Sequence, residues 1–188
     1  MRIISGEKKG LRLKAVPGMN TRPTTDRVKE SVFNIIGPYF ADCYVLDLFA
    51  GSGALGIEAV SRGAARSVFV DNATVAINTI QENLRLANVI DRAEVLKSDW
   101  KSACDKLASK GYSFDLVFLD PPYQQFENQI ETILQTLLDK ELLNRHAKII
   151  CEQDSKSNLP LQFMNLSGKY YKYGNTGITV FYKEENEE

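Results

Sequence analysis

Residues Tyr44-Val45-Leu46-Asp47-Leu48-Phe49-Ala50-Gly51-Ser52-Gly53-Ala54-Leu55-Gly56 constrain this chain more than any other stretch, because they spell an apolar strand, a glycine turn and the start of a helix without interruption. Gly51 and Gly53 admit backbone angles that other residues avoid, and they let a ligand approach the main chain; Gly56 lets the helix lie close to the strand. The chain keeps this rhythm. Apolar runs at 44–49, 67–70, 93–96, 114–119 and 148–151 alternate with helical patterns such as 75–86 and 130–138, which predicts βαβ units on a parallel sheet covered by helices on both faces. Residues 169–173 and 178–182, joined through Gly174-Asn175-Thr176-Gly177, read instead as a hairpin. The expected fold is therefore α/β, with a Rossmann-like, mostly parallel sheet closed by a C-terminal antiparallel strand.

An extension precedes this domain. Residues 2–16 alternate around a loop at 6–10 and close at Pro17-Gly18, as a β-hairpin too small to stand alone would. Thr24-Thr25-Asp26 offers helix caps, and Val28, Val32, Phe33, Ile35 and Ile36 follow at helical spacing until Gly37-Pro38. Residues 1–40 are thus expected to be a hairpin and helix packed on a main domain of residues 41–188, and the acidic end at 184–188 is expected to fray.

The glycine loop satisfies the G-x-G-x-x-G spacing, so taken alone it suits a dinucleotide as well as other adenosyl ligands. Asp71 closes the next strand, where a carboxylate can accept hydrogen bonds from ribose hydroxyls; it fits either kind of ligand. Asp47 tilts the choice. An anion four residues before Gly51 favours a ligand that carries an ammonium and a sulfonium, such as S-adenosylmethionine, over one that carries a pyrophosphate. Ser98-Asp99-Trp100 follows the third strand, where Asp99 can accept from an adenine amine and Trp100 can pack nearby; Asp99 also reads as a plain helix N-cap. Phe49, Asn72 and Asp120 complete the expected cofactor-binding set of Asp47, Gly51, Gly53, Asp71, Asp99 and Trp100.

The tetrad Asp120-Pro121-Pro122-Tyr123 follows the strand at 114–119, on the carboxyl edge where open α/β sheets bind ligands. The two prolines fix φ and remove two amide donors, leaving carbonyls as acceptors. A base amine is a poor nucleophile because its lone pair is delocalised into the ring. The Asp120 carboxylate and the Pro121 carbonyl can accept its two N–H bonds and turn the lone pair toward a methyl donor, while Tyr123 stacks on the base. Such catalysis is positioning plus electrostatics, and its substrate must be single-stranded, looped or flipped. Asp120, Pro121 and Tyr123 are the expected catalytic residues.

The net charge of −1 hides an asymmetry: residues 1–29 carry eight basic and two acidic side chains, a local +6. A basic arm suits contact with a phosphate backbone, and Arg12, Lys14, Arg22, Thr24, Arg27, Pro122 and Tyr123 are the expected RNA-facing residues. Cys43, Cys104 and Cys151 lack metal-ligand spacing and read as core or near-surface thiols, and the one histidine, His146, reads as a strand-edge residue, so neither a disulfide framework nor a metal site is expected. No run is long enough to span a bilayer and no secretory h-region is present, so the cytoplasm is the expected compartment.

These motifs resemble the class I S-adenosylmethionine-dependent methyltransferases, and within them the bacterial 16S ribosomal RNA guanine-N2 methyltransferases. The resemblance rests on residues 47–56, on residues 120–123, and above all on Arg2-Ile3-Ile4-Ser5-Gly6, Lys9-Gly10 and the stretch from Thr21-Arg22-Pro23-Thr24-Thr25-Asp26-Arg27 to Asn34. It implies methylation of N2 of one guanine of 16S RNA, in the small subunit or an assembly intermediate; the protein is expected to be a monomer. It also implies that Arg22, Thr24, Asp26 and Arg27 line the mouth of the site. Where the family often has glutamate, this chain has Asp71, with a shorter reach. From the residues alone other readings stand: a DNA adenine or protein glutamine methyltransferase, a dinucleotide oxidoreductase, or an RNA-binding module without activity.

Overall fold

The computed structural model describes residues 1–18, 26–37 and 39–185, with residues 123–127 described in their backbone only. Among the described residues eight strands form one sheet in the order β3-β2-β1-β4-β5-β8-β7-β6. The first five, β1 (Tyr44–Asp47), β2 (Arg66–Asp71), β3 (Ala93–Lys97), β4 (Phe114–Leu119) and β5 (Leu143–Asp154), pair in parallel. Then β8 (Thr176–Lys183) runs antiparallel to β5, and β7 (Leu166–Tyr173) and the short β6 (Gln162–Phe163) continue antiparallel pairing to the edge. The mostly parallel sheet with antiparallel strands after it is the one expected from the alternation of runs.

The helices divide by face, as the two-residue period of the strands requires. On one side α4 (Trp100–Ser109) and α5 (Tyr123–Asp139) bring Cys104, Leu107, Ile133 and Leu137 against Leu46, Val68, Val117 and Ile149. On the other, α1 (Asp26–Ile36) packs Val32, Phe33 and Ile36 on Val45, Phe118 and Val180. Beside it, α2 (Ala54–Ser61) and α3 (Thr74–Ala87) enclose Phe69 with Ile57, Val60, Ile77 and Ile80. Cys104 and Cys151 are buried and Cys43 is partly so. Among the described residues no helix is long and apolar enough to cross a membrane.

Three expectations are modified. The N-terminal hairpin is reduced to one antiparallel bridge, Arg2 to Arg12, around a tight turn. Its backbone bonds, Ile3 N to Leu11 O (2.9 Å) and Gly10 N to Ile3 O (2.8 Å), hold the turn, while Ile3 and Leu13 anchor it in the core around Ile57. Burying two apolar side chains replaces the ladder that a free hairpin would need. Second, β5 is twelve residues long, not four. Its polar C-terminal end is missed by an apolar criterion because β8 pairs with β5 from Lys148 to Asp154, and Thr179 Oγ1 donates to the buried Gln153 at 2.9 Å. His146 sits exposed in this strand, 3.7 Å from Glu185. Third, Lys29, counted above with the basic arm, is fully buried: its ammonium lies 3.2 Å from Glu58 and donates to the Arg2 carbonyl.

Candidate functional site

The glycine turn departs from the carboxyl edge of β1 as its sequence demands. Gly51 and Gly53 adopt φ of 56° and 81°, the left-handed region where a side chain is strained. A Cβ on Gly51 would meet nothing within 4 Å, so its face opens on space a ligand can enter. Gly56 does the packing: a Cβ there would lie 2.4 Å from Phe69 Cε1 and 2.8 Å from Ser67 Oγ, and only hydrogen lets α2 approach β2 this closely.

Asp47 lies beneath this turn, 1% exposed, and accepts from the Gly56 amide at 3.1 Å. That amide is in the first turn of α2, where the helix dipole favours an anion. Burial nonetheless pushes the carboxyl up to about 7; the Gly56 bond opposes this and the charge of Asp71 adds to it. Asp71, at the end of β2, accepts from the Gly51 amide (3.0 Å) with one oxygen and from Ala73 (2.9 Å) with the other. It therefore ties the turn to β2. Each oxygen keeps a second acceptor direction, which is what a ribose hydroxyl would use. Asn72 is exposed beside it, and Phe49 is packed at the margin of the core.

Across β3, Asp99 has the role its alternative reading assigned. It caps α4 by accepting from the Ser102 amide at 2.9 Å, the bond that chiefly holds its carboxyl below the usual range. The side chain is exposed, and Trp100 lies partly buried against the core.

On the other side of β1, Asp120 directly follows β4. Pro121 is buried, Pro122 is exposed with φ −53° and ψ 130°, and α5 starts at Tyr123, whose side chain lies outside the described residues. The Asp120 carboxyl is raised well above the ordinary carboxylate range, first by burial, then by the charges of Glu152 and Asp47. Register explains this convergence. Asp47 pairs with Phe118, and Phe118 with Ile150, so Asp47, Asp120 and Glu152 project from one face of three adjacent strands at their carboxyl ends. Asp120 and Glu152 line a shallow crevice, open to solvent, with Val32 of α1, Leu55 of α2, and Phe118 and Ile178 of the sheet.

Of the expected RNA-facing residues, Arg12, Lys14 and Arg27 are exposed, while Arg22 and Thr24 lie outside the described residues. Lys14 is engaged: its ammonium is 3.1 Å from Glu82, and its main chain exchanges two bonds with Asn83. Asn83 also donates to Ser52 in the glycine turn at 2.8 Å, so it joins the arm to the turn. Glu58 does the same for α1 and α2, pairing with Lys29 and with Arg62 (2.9 Å) and accepting the amides of Ile4 and Ser5. Glu58, Asn83 and Glu152 are not among the residues expected from the sequence. The available signal was one polar residue inside an apolar helical stripe, for Glu58 and Asn83, and an acid directly after an apolar strand, for Glu152.

The profile of a family described as conserved hypothetical protein 95 matches residues 1–183. The chain belongs to this family. YlbH of Bacillus subtilis strain 168, provisionally named an rRNA methyltransferase, is 44% identical over 97% of this chain and 99% of its own. Ribosomal RNA small subunit methyltransferase D of Escherichia coli K12 is 36% identical over 85% of this chain and 78% of its own. The solved structure of yhhF from Escherichia coli, provisionally named a methyltransferase, is 33% identical, covers 99% of both chains and superposes with a TM-score of 0.85. At 14% identity, SMU.776, solved with SAH, shares the fold over 83% of this chain and 48% of its own with a TM-score of 0.65. This is a family of class I methyltransferases, and YlbH and the small subunit methyltransferase D are named for methylation of ribosomal RNA.

Proposed function

We propose that this chain transfers a methyl group from S-adenosylmethionine to the N2 amine of one guanine in 16S ribosomal RNA, within the small subunit or an assembly intermediate. The observation that carries the reading is the convergence of Asp120, at the head of Asp120-Pro121-Pro122-Tyr123, with the Asp47-supported glycine turn on one edge of the sheet. The names of its relatives support ribosomal RNA as the substrate class. Guanine N2 rests on the resemblance of residues 2–34 and 120–123 to the guanine-N2 methyltransferases.

The residues present fit the cofactor. S-adenosylmethionine supplies an electrophilic methyl group on a positively charged sulfur. Gly51 leaves its face open for the adenosyl part, while Gly53 packs on Phe69 and Ile57 and completes the turn; Phe49 and Asn72 lie beside it, Asp71 would hold the ribose, and Asp99 and Trp100 would hold the adenine. Asp47 and Asp120 place negative charge where an ammonium and a sulfonium would be held. A dinucleotide pyrophosphate would meet that same charge as repulsion.

Asp120 then acts on the acceptor. Its carboxylate and the Pro121 carbonyl take the two N–H bonds of the guanine amine, which draws the nitrogen out of conjugation and aims its lone pair. As positive charge builds on that nitrogen, Asp120 stabilises it and accepts the released proton. Tyr123 and Pro122 hold the base by stacking, and the exposed Arg12 and Arg27, with Lys14, Arg22 and Thr24, contact the RNA.

Mass mapping of small-subunit RNA from cells lacking this protein tests the proposal, with loss of one N2-methylguanosine expected. A complete set of methylguanosines in those cells would overturn it. In purified protein, Asp120→Ala should abolish transfer while cofactor binding is weakened but still measurable, and near-native turnover would remove Asp120 from its role.

A further inference from the structure

Guanine differs from the other bases in presenting two donor groups side by side, N1–H and the N2 amine, on its pairing edge. A site that methylates the amine needs a way to read its neighbour, because an amine alone does not separate guanine from adenine. In this chain β4 and β5 offer matched acceptors. Leu119, the last residue of β4, pairs with Cys151 in parallel register, so Asp120, directly after β4, and Glu152 of β5 continue from two strands about 4.8 Å apart. They share the face of Phe118 and Ile150, and both line the crevice together with Val32, Leu55 and Ile178.

We propose that Glu152 is a specificity-determining residue, whose carboxylate accepts the N1–H of the target guanine while Asp120 holds the adjacent N2 amine. This rests on the reading of the crevice as a guanine-amine site. Glu152 is 7% exposed, and a buried acceptor rejects a partner that brings a lone pair in place of a hydrogen. Adenine does that: its amine is flanked by the N1 acceptor, which would face the Glu152 oxygens. The charge of Glu152 is felt at Asp120, where it is the second cause of the raised carboxyl pKa. Two donors arriving together relieve that repulsion, and one donor beside an acceptor does not.

The test compares small-subunit particles reconstituted with guanine or with 2-aminopurine at the mapped position. 2-Aminopurine keeps the amine at C2 but presents a lone pair at N1. The unaltered protein should prefer guanine by about 100-fold or more in kcat/KM. Glu152→Gln, whose amide can donate to N1, should narrow that ratio to within about tenfold, mainly by losing activity on guanine. Glu152→Asp keeps the carboxylate and should keep the preference at a lower rate. Either a wild-type ratio in Glu152→Gln, or an equal loss on both substrates in both variants, overturns the role. If the unaltered protein fails to methylate guanine particles at all, the failure lies with the proposed function instead.

Discussion

Asp47→Asn isolates the electrostatic cost of the buried acid beneath the glycine turn. The folded carboxyl titrates at about 7 against an ordinary 3.8. Because the folded pKa is the higher, the folded chain holds a proton that the unfolded chain releases. The stability from this group is complete below pH 3.8 and is lost as pH rises through about 7. At 1.36 kcal/mol per pH unit the whole loss is about 4 kcal/mol, of which about 2.5 kcal/mol falls between pH 5 and pH 8. Asparagine keeps an oxygen for the Gly56 amide and cannot ionise. Urea unfolding of both proteins across that range, without cofactor, should show the native chain losing about 2.5 kcal/mol relative to the variant. A difference that stays constant from pH 5 to pH 8 would refute the reasoning. The same variant should bind S-adenosylmethionine more weakly at pH 8, since the charge that destabilises the free protein is the one that would meet the cofactor's cations.

Glu58→Ala removes the shared partner of Lys29 and Arg62 and should cost about 3–5 kcal/mol in chemical unfolding, as expected when a buried charge is left uncompensated; a cost under 1 kcal/mol would mean that these cations find other partners. Gly56→Ala should cost about 1–3 kcal/mol through its clash with Phe69, and Phe69→Leu should recover part of that in the double variant. Additive losses would place the clash elsewhere. Arg12→Glu should lower the salt slope of RNA association by about 1 or more, with a smaller effect for Lys14→Glu because Glu82 already pairs with Lys14. An unchanged slope in a filter-binding titration would take the arm out of the interface.

Local rules account for what the linear chain revealed. Strand–turn–helix chemistry at 44–56, the apolar run at 114–119 and the tetrad after it are consecutive in sequence, so their backbone demands were legible without the fold. The N-cap reading of Asp99 was local in the same way.

What tertiary structure decided were pairings between distant residues. Sequence marked Asp47, Asp71 and Asp120 as acids at strand ends, but only parallel register set Asp47, Asp120 and Glu152 on one face, where the charges of Glu152 and Asp47 add to burial in raising the Asp120 carboxyl. Likewise Lys29 looked like one more charge of a basic arm until α1, α2 and the N-terminal turn closed around Glu58 and took it out of water. Hydrophobic period and turn chemistry act over a few residues and can be read along the chain. Burial and Coulomb energy depend on what the fold brings within a few ångströms, and here that comes from residues 29 to 105 positions apart.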